Sequence, residues 1–386
     1  MKTLHGSKKV LLIRNAYKYD FGGAERFPVH LSVELNKLGT KSLVVSGSSK
    51  LITFAKGLDV DTRRGLWLPI QNWSGPRAIL FPMYLVWQII LSVWYIYVIL
   101  RHRIDIVHPQ SRDDFIGATV AGRILRKKVI WTDHADLKYI FRNHKIWYKN
   151  PVGKLVYLCS YLAGKVTLVS KSEQRLIEKS IDNKLDASRF VVIHNGVEDR
   201  FVELSKGKLP NKSGFVFCAT SRLVRPKGIG ELIEAFKKLQ GEFDNHFLWL
   251  VGGGPEEEAF KDQADNAKNI VFWGYQKNPL KFVATCDVFV HPSFHEGFSI
   301  SLIEAAMLAK PIIACDVGGN SELVESGVNG LLIPAKDATT LSETMAKLES
   351  NAKYRTTLGK NARKTFLRDF VFKEIVINNF LPIYEE

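Results

Sequence analysis

Short apolar runs alternate with helical patterns from one end of this chain to the other, and that alternation limits the possible folds more than any other feature. Runs rich in aliphatic and β-branched residues are typical of strands buried on both faces of a parallel sheet. They are VLLI (10–13), SLVVS, IDIVH, KVIWT, KVTLVS and RFVVIHN, then GFVFCATSR, HFLWLVGGG, NIVFWG, VFVHPS, PIIACD and GLLIPA. The pattern predicts an α/β fold with helices on both faces of parallel sheets.

The series of strands and helices occurs twice, with a polar stretch at 196–214 between the two sets. A chain of 386 residues, 46% of them hydrophobic, can build two cores. We therefore expect two Rossmann-like, doubly wound domains, at 1–197 and 198–369, that face a central cleft. Ligands of such sheets bind at the carboxyl ends of the strands, where loops lead into helices.

The excess basic charge is confined to the first half of the chain. Residues 1–200 hold 32 Lys and Arg against 16 Asp and Glu, whereas the remaining residues hold 22 against 23. Basic surfaces are typical of proteins that bind nucleic acids or anionic membranes. The sequence has no recognition-helix, zinc-finger or RNP-type motif, so the charge favours an anionic membrane and argues against nucleic acid.

A long uncharged segment lies in the same half, between Arg77 and Arg101. As a helix, its 23 residues are long enough to cross a bilayer. A single crossing would separate the flanking strands SLVVSG and IDIVHPQ, which belong in one sheet. A semi-polar stripe at helical spacing consists of Tyr84, Gln88, Ser92 and Tyr95. The stripe favours a helix half in the protein and half in the membrane interface, with a buried core helix and a spanning helix as the alternatives.

The cysteine pattern and the first residues of the chain indicate in which cellular compartment the protein is found. The cysteines form no C-x-x-C pair and have no partnering His cluster, which argues against a zinc site and a disulfide framework. They are Cys159, Cys218, Cys286 and Cys315. Only a four-residue apolar run precedes Arg14, too short for a signal-peptide core. We expect a cytoplasmic protein.

The most informative motif lies at 291–337. The strand VFVHPS leads into the loop FHEGF, and Ser299 is placed to cap the following helix. The N–H groups at such a helix start suit an anion such as a diphosphate. Glu296 and Glu304 suit sugar hydroxyls, because carboxylates accept hydrogen bonds. Taken alone, two such acids are more often one solvated glutamate and one partner of the helix dipole than ligands of a sugar.

Two cations, Arg222 and Lys227, follow the strand VFCATS at its carboxyl end. A guanidinium and an ammonium group there can neutralise a departing nucleoside diphosphate. Without the neighbouring helix start, two solvated loop cations would be the simpler interpretation.

Glycines follow two of the strands. Gly22 and Gly23 follow the first, where the lack of a side chain lets the backbone approach a phosphate, although such a pair is as often a tight turn. The triplet 252–254 suggests a dinucleotide fingerprint, but the third glycine of that pattern would fall at Glu257. This mismatch argues against an NAD-dependent enzyme.

Together these motifs resemble the retaining glycosyltransferases of family 4, which have the GT-B architecture of two Rossmann-like domains. EGFSISLIEA matches the family's E-x7-E pattern, and TSRLVRPKGIGELIEAF matches its Arg and Lys. LVGGGPEEEAF and FGGAER match glycine loops of the second and first domains, and HNGVEDRF matches the entry between domains. The resemblance covers nearly the whole chain and implies that a C-terminal helix, 370–386, returns to the first domain.

The resemblance implies roles for the matching residues. Those implied to bind the nucleotide sugar are Gly22, Gly23, Arg222, Lys227, Gly253, Phe298, Ser299 and Glu304. Those implied to be catalytic are His134, Arg222, Lys227 and Glu296. Arg222 and Lys227 would contact the pyrophosphate, and the N–H groups of Phe298 and Ser299 would bind its oxygens. Glu304 would contact the ribose, and Glu296 would contact the transferred sugar.

His134, in WTDHAD, stands where the family places a histidine beside the donor sugar. We expect it to orient the hydroxymethyl group of that sugar rather than to act as a general base. Asp133 and Asp136 flank it and are the alternatives for this role.

The resemblance implies transfer of a hexose or N-acetylhexosamine from a nucleotide diphosphate sugar, with retention of configuration and no required metal or other cofactor. A UDP-sugar is favoured over a GDP-sugar. The basic first domain and the uncharged segment favour a membrane lipid-linked saccharide as acceptor and a peripheral position on the inner face of the membrane. A soluble sugar acceptor, a nucleotide-sugar epimerase and a membrane-binding scaffold with a decayed site are the alternatives, the last disfavoured because the expected polar residues are all present.

Overall fold

The computed structural model describes the chain over several ranges, namely 8–15, 22–68, 79–135, 137–141, 149–180, 187–207, 209–212, 214–239, 245–265 and 267–386. The chain divides into two compact units. The first is Met1–His194 with Lys373–Glu386, and the second is Asn195–Phe372. These limits lie a few residues from the predicted ones at 197 and 370.

Within the described residues, the first unit contains a seven-stranded parallel sheet. Its strands are β1 (Val10–Ile13), β2 (Ser42–Ser46), β3 (Thr62–Arg64), β4 (Ile106–Pro109), β5 (Lys128–Asp133), β6 (Lys165–Leu168) and β7 (Phe190–Val192). Their order is β3-β2-β1-β4-β5-β6-β7, which reverses between β1 and β4. At that switch point the loops after β1 and β4 diverge to opposite faces of the sheet and leave a crevice for ligands.

Helices follow the strands of the first unit. They are α1 (Gly23–Lys37), α2 (Ser49–Lys56), α3 (Phe81–His102), α4 (Phe115–Ile124), α5 (Leu137–Ile140), α6 (Pro151–Ser160) and α7 (Lys171–Ser180). The core beneath them is apolar and aromatic, with the fully buried Trp131 stacked on Phe115 at 4.3 Å between ring centroids. β3 was not predicted, because TRR is a short polar edge strand without an apolar run.

The predicted semi-polar stripe of α3 faces the protein interior. Tyr84, Gln88, Ser92 and Tyr95 are all buried, whereas the opposite face, which is apolar apart from Tyr97, is exposed. α3 packs on α4 so closely that a Cβ on Gly117 would lie 2.9 Å from the Cβ of Leu91. The prediction of a helix half inside the protein is therefore correct, and the alternative of a wholly buried core helix is wrong.

In the part of the second unit that the structure describes, a six-stranded parallel sheet repeats the same topology. Its strands are β8 (Phe215–Thr220), β9 (His246–Val251), β10 (Ile270–Gly274), β11 (Val288–His291), β12 (Ile312–Cys315) and β13 (Leu331–Ile333). The order β10-β9-β8-β11-β12-β13 places the switch point between β8 and β11. Each of the predicted apolar runs in both units contains a strand.

The helices of the second unit surround this sheet. They are α8 (Phe201–Lys206), α9 (Ile229–Leu239), α10 (Glu257–Ala264), α11 (Leu280–Thr285), α12 (Ile300–Met307), α13 (Asn320–Leu323), α14 (Ala338–Ser350) and α15 (Ala352–Asp369). α8 lies in the stretch predicted as a linker. It forms there because Leu204 is buried and because Arg363 pairs with Asp199 just before the helix, at 2.7 Å.

The C-terminal segment packs within the first unit. It comprises α16 (Phe372–Ile375), a π-helical turn (Val376–Phe380) and α17 (Leu381–Glu385). The hydroxyl of Tyr384 lies 2.7 Å from Nδ1 of His108, and the rings of Phe380 and Phe27 are 5.8 Å apart. Burial lowers the pKa of His108 to about 3, so this bond joins a neutral imidazole to the C-terminal helix.

Candidate active site

Glu296 lies in the loop after β11, at the switch point of the second sheet. Its Oε1 accepts a hydrogen bond from Nζ of Lys227 at 2.5 Å and lies 2.9 Å from Nε2 of His291. Lys227 ends the short 3-10 turn that follows β8, and β8 pairs with β11. The strand order therefore brings the predicted cation and acid together.

The neighbours of Glu296 keep it ionised. Burial alone would raise the pKa of its carboxyl group, but the hydrogen bond from His291 and the charge of Lys227 outweigh burial and hold the pKa well below its usual range. The site thus presents a carboxylate, an acceptor of hydrogen bonds, next to an ammonium group.

Two glycines with positive φ fix the backbone around this acid. Gly318 has φ +56°, and a Cβ there would lie 1.8 Å from the carbonyl oxygen of Glu296. Gly228 has φ +66°, and a Cβ there would lie 2.0 Å from the carbonyl oxygen of Pro292. Because only glycine fits these contacts, the loops after β8, β11 and β12 can close on one another.

The helix start after Glu296 forms as predicted. Ser299 is the N-cap of α12, and its hydroxyl accepts a hydrogen bond from the N–H of Leu302 at 3.4 Å. Asn195 holds the preceding residue by donating to the carbonyl oxygen of Phe298 at 3.3 Å. Glu304 lies in α12, half-buried, with Arg200 near enough to feel its charge.

The glycine loop after β9 packs against the loop that carries Arg222. A Cβ on Gly252 would lie 1.8 Å from the carbonyl oxygen of Ser221, and one on Gly254 would lie 2.2 Å from that of Leu223. A Cβ on Gly253 would meet only ordinary contacts, the nearest at 3.6 Å. Gly252 and Gly254 are thus required by packing, whereas the surroundings of Gly253 leave room for a ligand. Arg222 is exposed.

In the first unit, Gly22 and Gly23 begin α1. The N–H of Gly22 donates to Oε2 of Glu25 at 2.9 Å, and Oε1 of the same carboxylate pairs with Arg14 at 2.7 Å. Burial alone would raise the pKa of Glu25, but Arg14 and the backbone bonds lower it. The N–H of Gly22 therefore already has an acceptor, which reduces its suitability as a phosphate ligand.

Two polar side chains at the carboxyl edge of the first sheet have buried polar atoms without hydrogen-bond partners. Gln110 follows β4, is 1% exposed, and neither its amide oxygen nor its amide nitrogen is paired. His134 follows β5, and neither of its ring nitrogens is paired. Burial, and then the charge of Arg14, lower the pKa of His134 well below its usual range. A neutral imidazole and an amide can each bind a hydroxyl group.

Two acids flank His134 and are the alternatives for its role, and the structure describes one of them, Asp133. Oδ1 of Asp133 accepts a hydrogen bond from the N–H of Leu137, the first residue of α5, at 3.1 Å. Asp136 lies outside the described residues. Among the residues that the structure describes, no group of three or more His, Cys, Asp or Glu side chains is arranged to hold a metal ion.

Asp114 is the centre of a buried network after β4. Its Oδ1 accepts from the hydroxyl of Tyr95 at 2.7 Å, and its Oδ2 accepts from Asn15 at 2.8 Å and from Ser111. Burial raises the pKa of Asp114 to about 6, although these hydrogen bonds oppose the shift. The network ties α3 to the loops after β1 and β4.

Because of Asp114, we expect the free energy of unfolding to fall as pH rises from about 4 through 6. The folded state keeps a proton that the unfolded chain, with an Asp pKa of about 3.9, has released. Two pKa units correspond to about 3 kcal/mol. Asp114→Asn should lose this part of the pH dependence, and the exposed Asp61→Asn should keep it. Denaturant unfolding at pH 4.5 and 7.5 measures it, and an unchanged pH dependence in Asp114→Asn would contradict the assignment.

Sequence patterns did not identify several of these residues. His291 is the last residue of a predicted strand, and its position before the FHEGF loop was the available signal. Gln110 directly follows β4, and Asp114 lies further along the same loop, at the start of α4. Arg14 follows β1. Polar residues directly after buried strands thus mark the site even where no motif includes them.

Comparison with known proteins assigns each unit to a described domain family. The model "Glycosyltransferase Family 4" matches residues 21–201, and the model "Glycosyl transferases group 1" matches residues 201–365. The two matches follow one another and together span nearly the whole chain.

Named relatives and a solved structure agree with these matches. The capsular polysaccharide biosynthesis glycosyltransferase CapM of Staphylococcus aureus is 29% identical over 58% of this chain and 66% of its own length. An N,N'-diacetylbacillosaminyl-diphospho-undecaprenol alpha-1,3-N-acetylgalactosaminyltransferase of Campylobacter jejuni is 30% identical over 43% of each chain. The chain thus spans less than two thirds of either relative.

The structure of Anabaena HepE in complex with UDP superposes with a TM-score of 0.76 at 19% identity, over 95% of this chain and 97% of that one. At this identity the likeness establishes the fold, which is GT-B. In its two consecutive domain matches and in this fold, the chain is similar to the GT-B glycosyltransferases.

Proposed function

We propose that the protein transfers a hexose or N-acetylhexosamine from a nucleoside diphosphate sugar to a membrane lipid-linked saccharide in cell-envelope glycan synthesis. The observation that carries the proposal is the ion pair of Lys227 with the ionised Glu296, supported by His291, at the switch point of the second sheet. An ammonium group beside a carboxylate suits a ligand that joins an anionic diphosphate to a neutral, hydroxyl-rich sugar.

Each residue has a role in the proposed donor site. Lys227 and Arg222 neutralise the diphosphate, and the first turn of α12 binds its oxygens through the N–H groups of Phe298 and Ser299. Glu304 accepts hydrogen bonds from the ribose hydroxyls, and Glu296 accepts hydrogen bonds from the hydroxyls of the transferred sugar. The backbone at Gly253 leaves room for the nucleotide.

The proposed reaction retains the anomeric configuration. The bond between the anomeric carbon and the diphosphate oxygen breaks, the acceptor oxygen bonds to that carbon from the same face, and the departing oxygen takes the acceptor proton. No enzyme group serves as the base in this scheme. His134 orients the sugar through its unpaired ring nitrogens, and Lys227 stabilises the charge that develops on the leaving group. No metal ion or other cofactor is required.

The proposed acceptor follows from the first unit and the relatives. The name of the Campylobacter jejuni relative contains a diphospho-undecaprenol acceptor, and that of CapM refers to capsular polysaccharide. The first half of the chain carries the basic charge, and the buried, unpaired amide of Gln110 suits a saccharide hydroxyl. We place the protein in the cytoplasm, on the inner face of the cell membrane.

We expect UDP to raise the temperature of unfolding more than GDP does, with AMP as the control that lacks a diphosphate. A ligand that binds only the folded protein stabilises it by about 2.7 kcal/mol at one hundred times its Kd. Thermal-shift titration measures this effect. Equal shifts with AMP and UDP would contradict a diphosphate site.

Turnover then distinguishes the competing activities. Release of UDP only on addition of a lipid-linked saccharide supports the proposal. Release with a free sugar phosphate supports the soluble-acceptor alternative. Conversion of the UDP-sugar into its epimer without net release of UDP supports an epimerase, and neither reaction supports a scaffold. Analysis of the anomeric configuration of the product by NMR tests retention.

A further inference from the structure

One face of α3 is exposed and carries only apolar residues and one tyrosine. We define the apolar stripe as Met83, Val86, Ile89, Ile90, Val93, Tyr97 and Leu100, which are 45% to 65% exposed. Their spacing of three and four residues aligns them along the whole helix. Scattered exposed hydrophobic residues are ordinary, but a continuous stripe of this length marks a surface that binds something.

The opposite face holds α3 to the protein. Oε1 of Gln88 accepts from the N–H of Gly117 at 3.0 Å, and Tyr95 donates to Asp114 at 2.7 Å. α3 is long and apolar enough to cross a membrane by length and composition. To span a bilayer it would have to break these bonds and expose its polar face to lipid, which is unfavourable.

Basic residues surround one end of the apolar stripe. α3 and α4 precede the neighbouring strands β4 and β5, so both helices end at the amino edge of the sheet. The exposed arginines at these two ends are Arg101, Arg103, Arg123 and Arg126. Beside them, the guanidinium of Arg63 lies 5.1 Å from the centre of the Tyr97 ring. An apolar face next to arginines matches an anionic bilayer, which offers acyl chains and negative headgroups side by side.

We propose that α3 lies in the plane of one leaflet of an anionic bilayer, with the apolar stripe at the acyl boundary and these arginines on the headgroups. The alternative occupant is a second copy of the chain. A copy would add like charges to the same basic end, whereas lipid headgroups neutralise it. The membrane contact itself does not depend on the proposed function. Its purpose, to present a lipid-linked acceptor to the site, does rest on the proposed function.

The hydrogen bond of Tyr95 connects the proposed membrane contact of α3 to the loop after β4. Tyr95 lies in α3 and donates to Asp114, in the loop after β4 that also carries Gln110. A helix held by the bilayer on one face and by this loop on the other fixes the carboxyl edge of the first sheet relative to the membrane.

Flotation of the full chain with vesicles tests the proposal without donor or acceptor. The test variant is Val86→Gln, Ile90→Gln and Val93→Gln combined. The control combines Val202→Gln, Val328→Gln and Leu367→Gln, which are comparably exposed residues of the second unit. We expect the partition coefficient on vesicles with anionic phospholipid to fall at least tenfold in the test variant and to stay within twofold in the control. Thermal unfolding shows that both variants fold.

A single fluorescent probe then locates the helix. The four cysteines are free and buried, so a Val93→Cys variant can be labelled selectively with a polarity-sensitive dye. We expect the emission to shift to the blue on addition of anionic vesicles and a much smaller shift on neutral phosphatidylcholine vesicles. The same dye on Val202→Cys should not respond.

Three results would overturn the proposal. The first is undiminished flotation of the test variant. The second is a Val93→Cys probe that shows no shift while the protein floats. The third is a wild-type protein that does not bind vesicles but forms dimers at high concentration, as measured by analytical ultracentrifugation, together with loss of those dimers in the test variant. Because none of these measurements involves turnover, a failed membrane contact is distinguishable from a failed glycosyltransferase assignment.

Discussion

Lys227→Ala is expected to lower kcat/KM for nucleotide release by about 10²- to 10³-fold, as the loss of one group that stabilises developing negative charge does in other enzymes. The side chain has two effects in this site. It supplies positive charge for the departing diphosphate, and after His291 its 2.5 Å contact is the next contribution that lowers the pKa of Glu296. The substitution removes the first effect and weakens the second, so both kcat and donor affinity should fall. Steady-state kinetics with varied donor measures both.

A matched control separates this role from the general loss of a lysine. Lys238 also pairs with a glutamate, Glu234 at 3.0 Å, but both side chains are solvent-exposed on α9. Lys238→Ala should leave kcat/KM within about twofold, since exposed ion pairs contribute about 0–1 kcal/mol. Wild-type turnover by Lys227→Ala, in a protein that unfolds at a similar temperature, would refute the assignment of the site.

Gly318→Ala is expected to destabilise the protein by about 3 kcal/mol or more and to reduce turnover in the fraction that folds. Gly318 has φ +56°, which costs an L-residue about 1–2 kcal/mol. In addition, the new Cβ would lie 1.8 Å from the carbonyl oxygen of Glu296, so the backbone that carries the candidate acid must move. Displacement of this carboxylate from Lys227 lowers catalysis because the reacting groups need close positioning.

Gly327→Ala is the control for the backbone conformation alone. Gly327 also has a positive φ, +85°, but the atom nearest to a Cβ added there would be the hydroxyl oxygen of Tyr354, at 3.9 Å. We expect this variant to lose about 1–2 kcal/mol, the cost of the backbone conformation alone, and to retain turnover. Denaturant unfolding and nucleotide release on both variants give the comparison. Equal losses in the two variants would show that the contact with Glu296 has no energetic importance.

Much of the fold follows from local sequence patterns. Runs such as VFVHPS and KVIWT form buried strands because aliphatic residues without polar interruption exclude a solvated face. Ser299 caps α12 because its hydroxyl accepts a hydrogen bond from a backbone N–H that has no partner within the helix. β3 and α8 were not predicted. Their three to six residues carry weak patterns and form through pairing and packing with distant parts of the chain.

The candidate site could be predicted only in part. The matched motif contains both Glu296 and Glu304, so the sequence alone singles out both acids. His291 and Gln110 belong to no motif, and their importance comes from what surrounds them: one contacts Glu296, and the other is buried without a partner. The environment of a side chain depends on the packed chain around it, which local patterns do not contain.

The sequence by itself determined that the chain forms repeated α/β units, that α12 begins after an acidic loop, and that α3 has one semi-polar face. Only the tertiary structure decided that this face turns inward, that Asp114 joins α3 to β1 and β4, and that Lys227 meets Glu296 across 69 residues of chain. The physical reason is the range of the forces involved. Helix capping and apolar periodicity act between near neighbours in sequence, whereas strand order and helix packing are settled by the burial of the whole core.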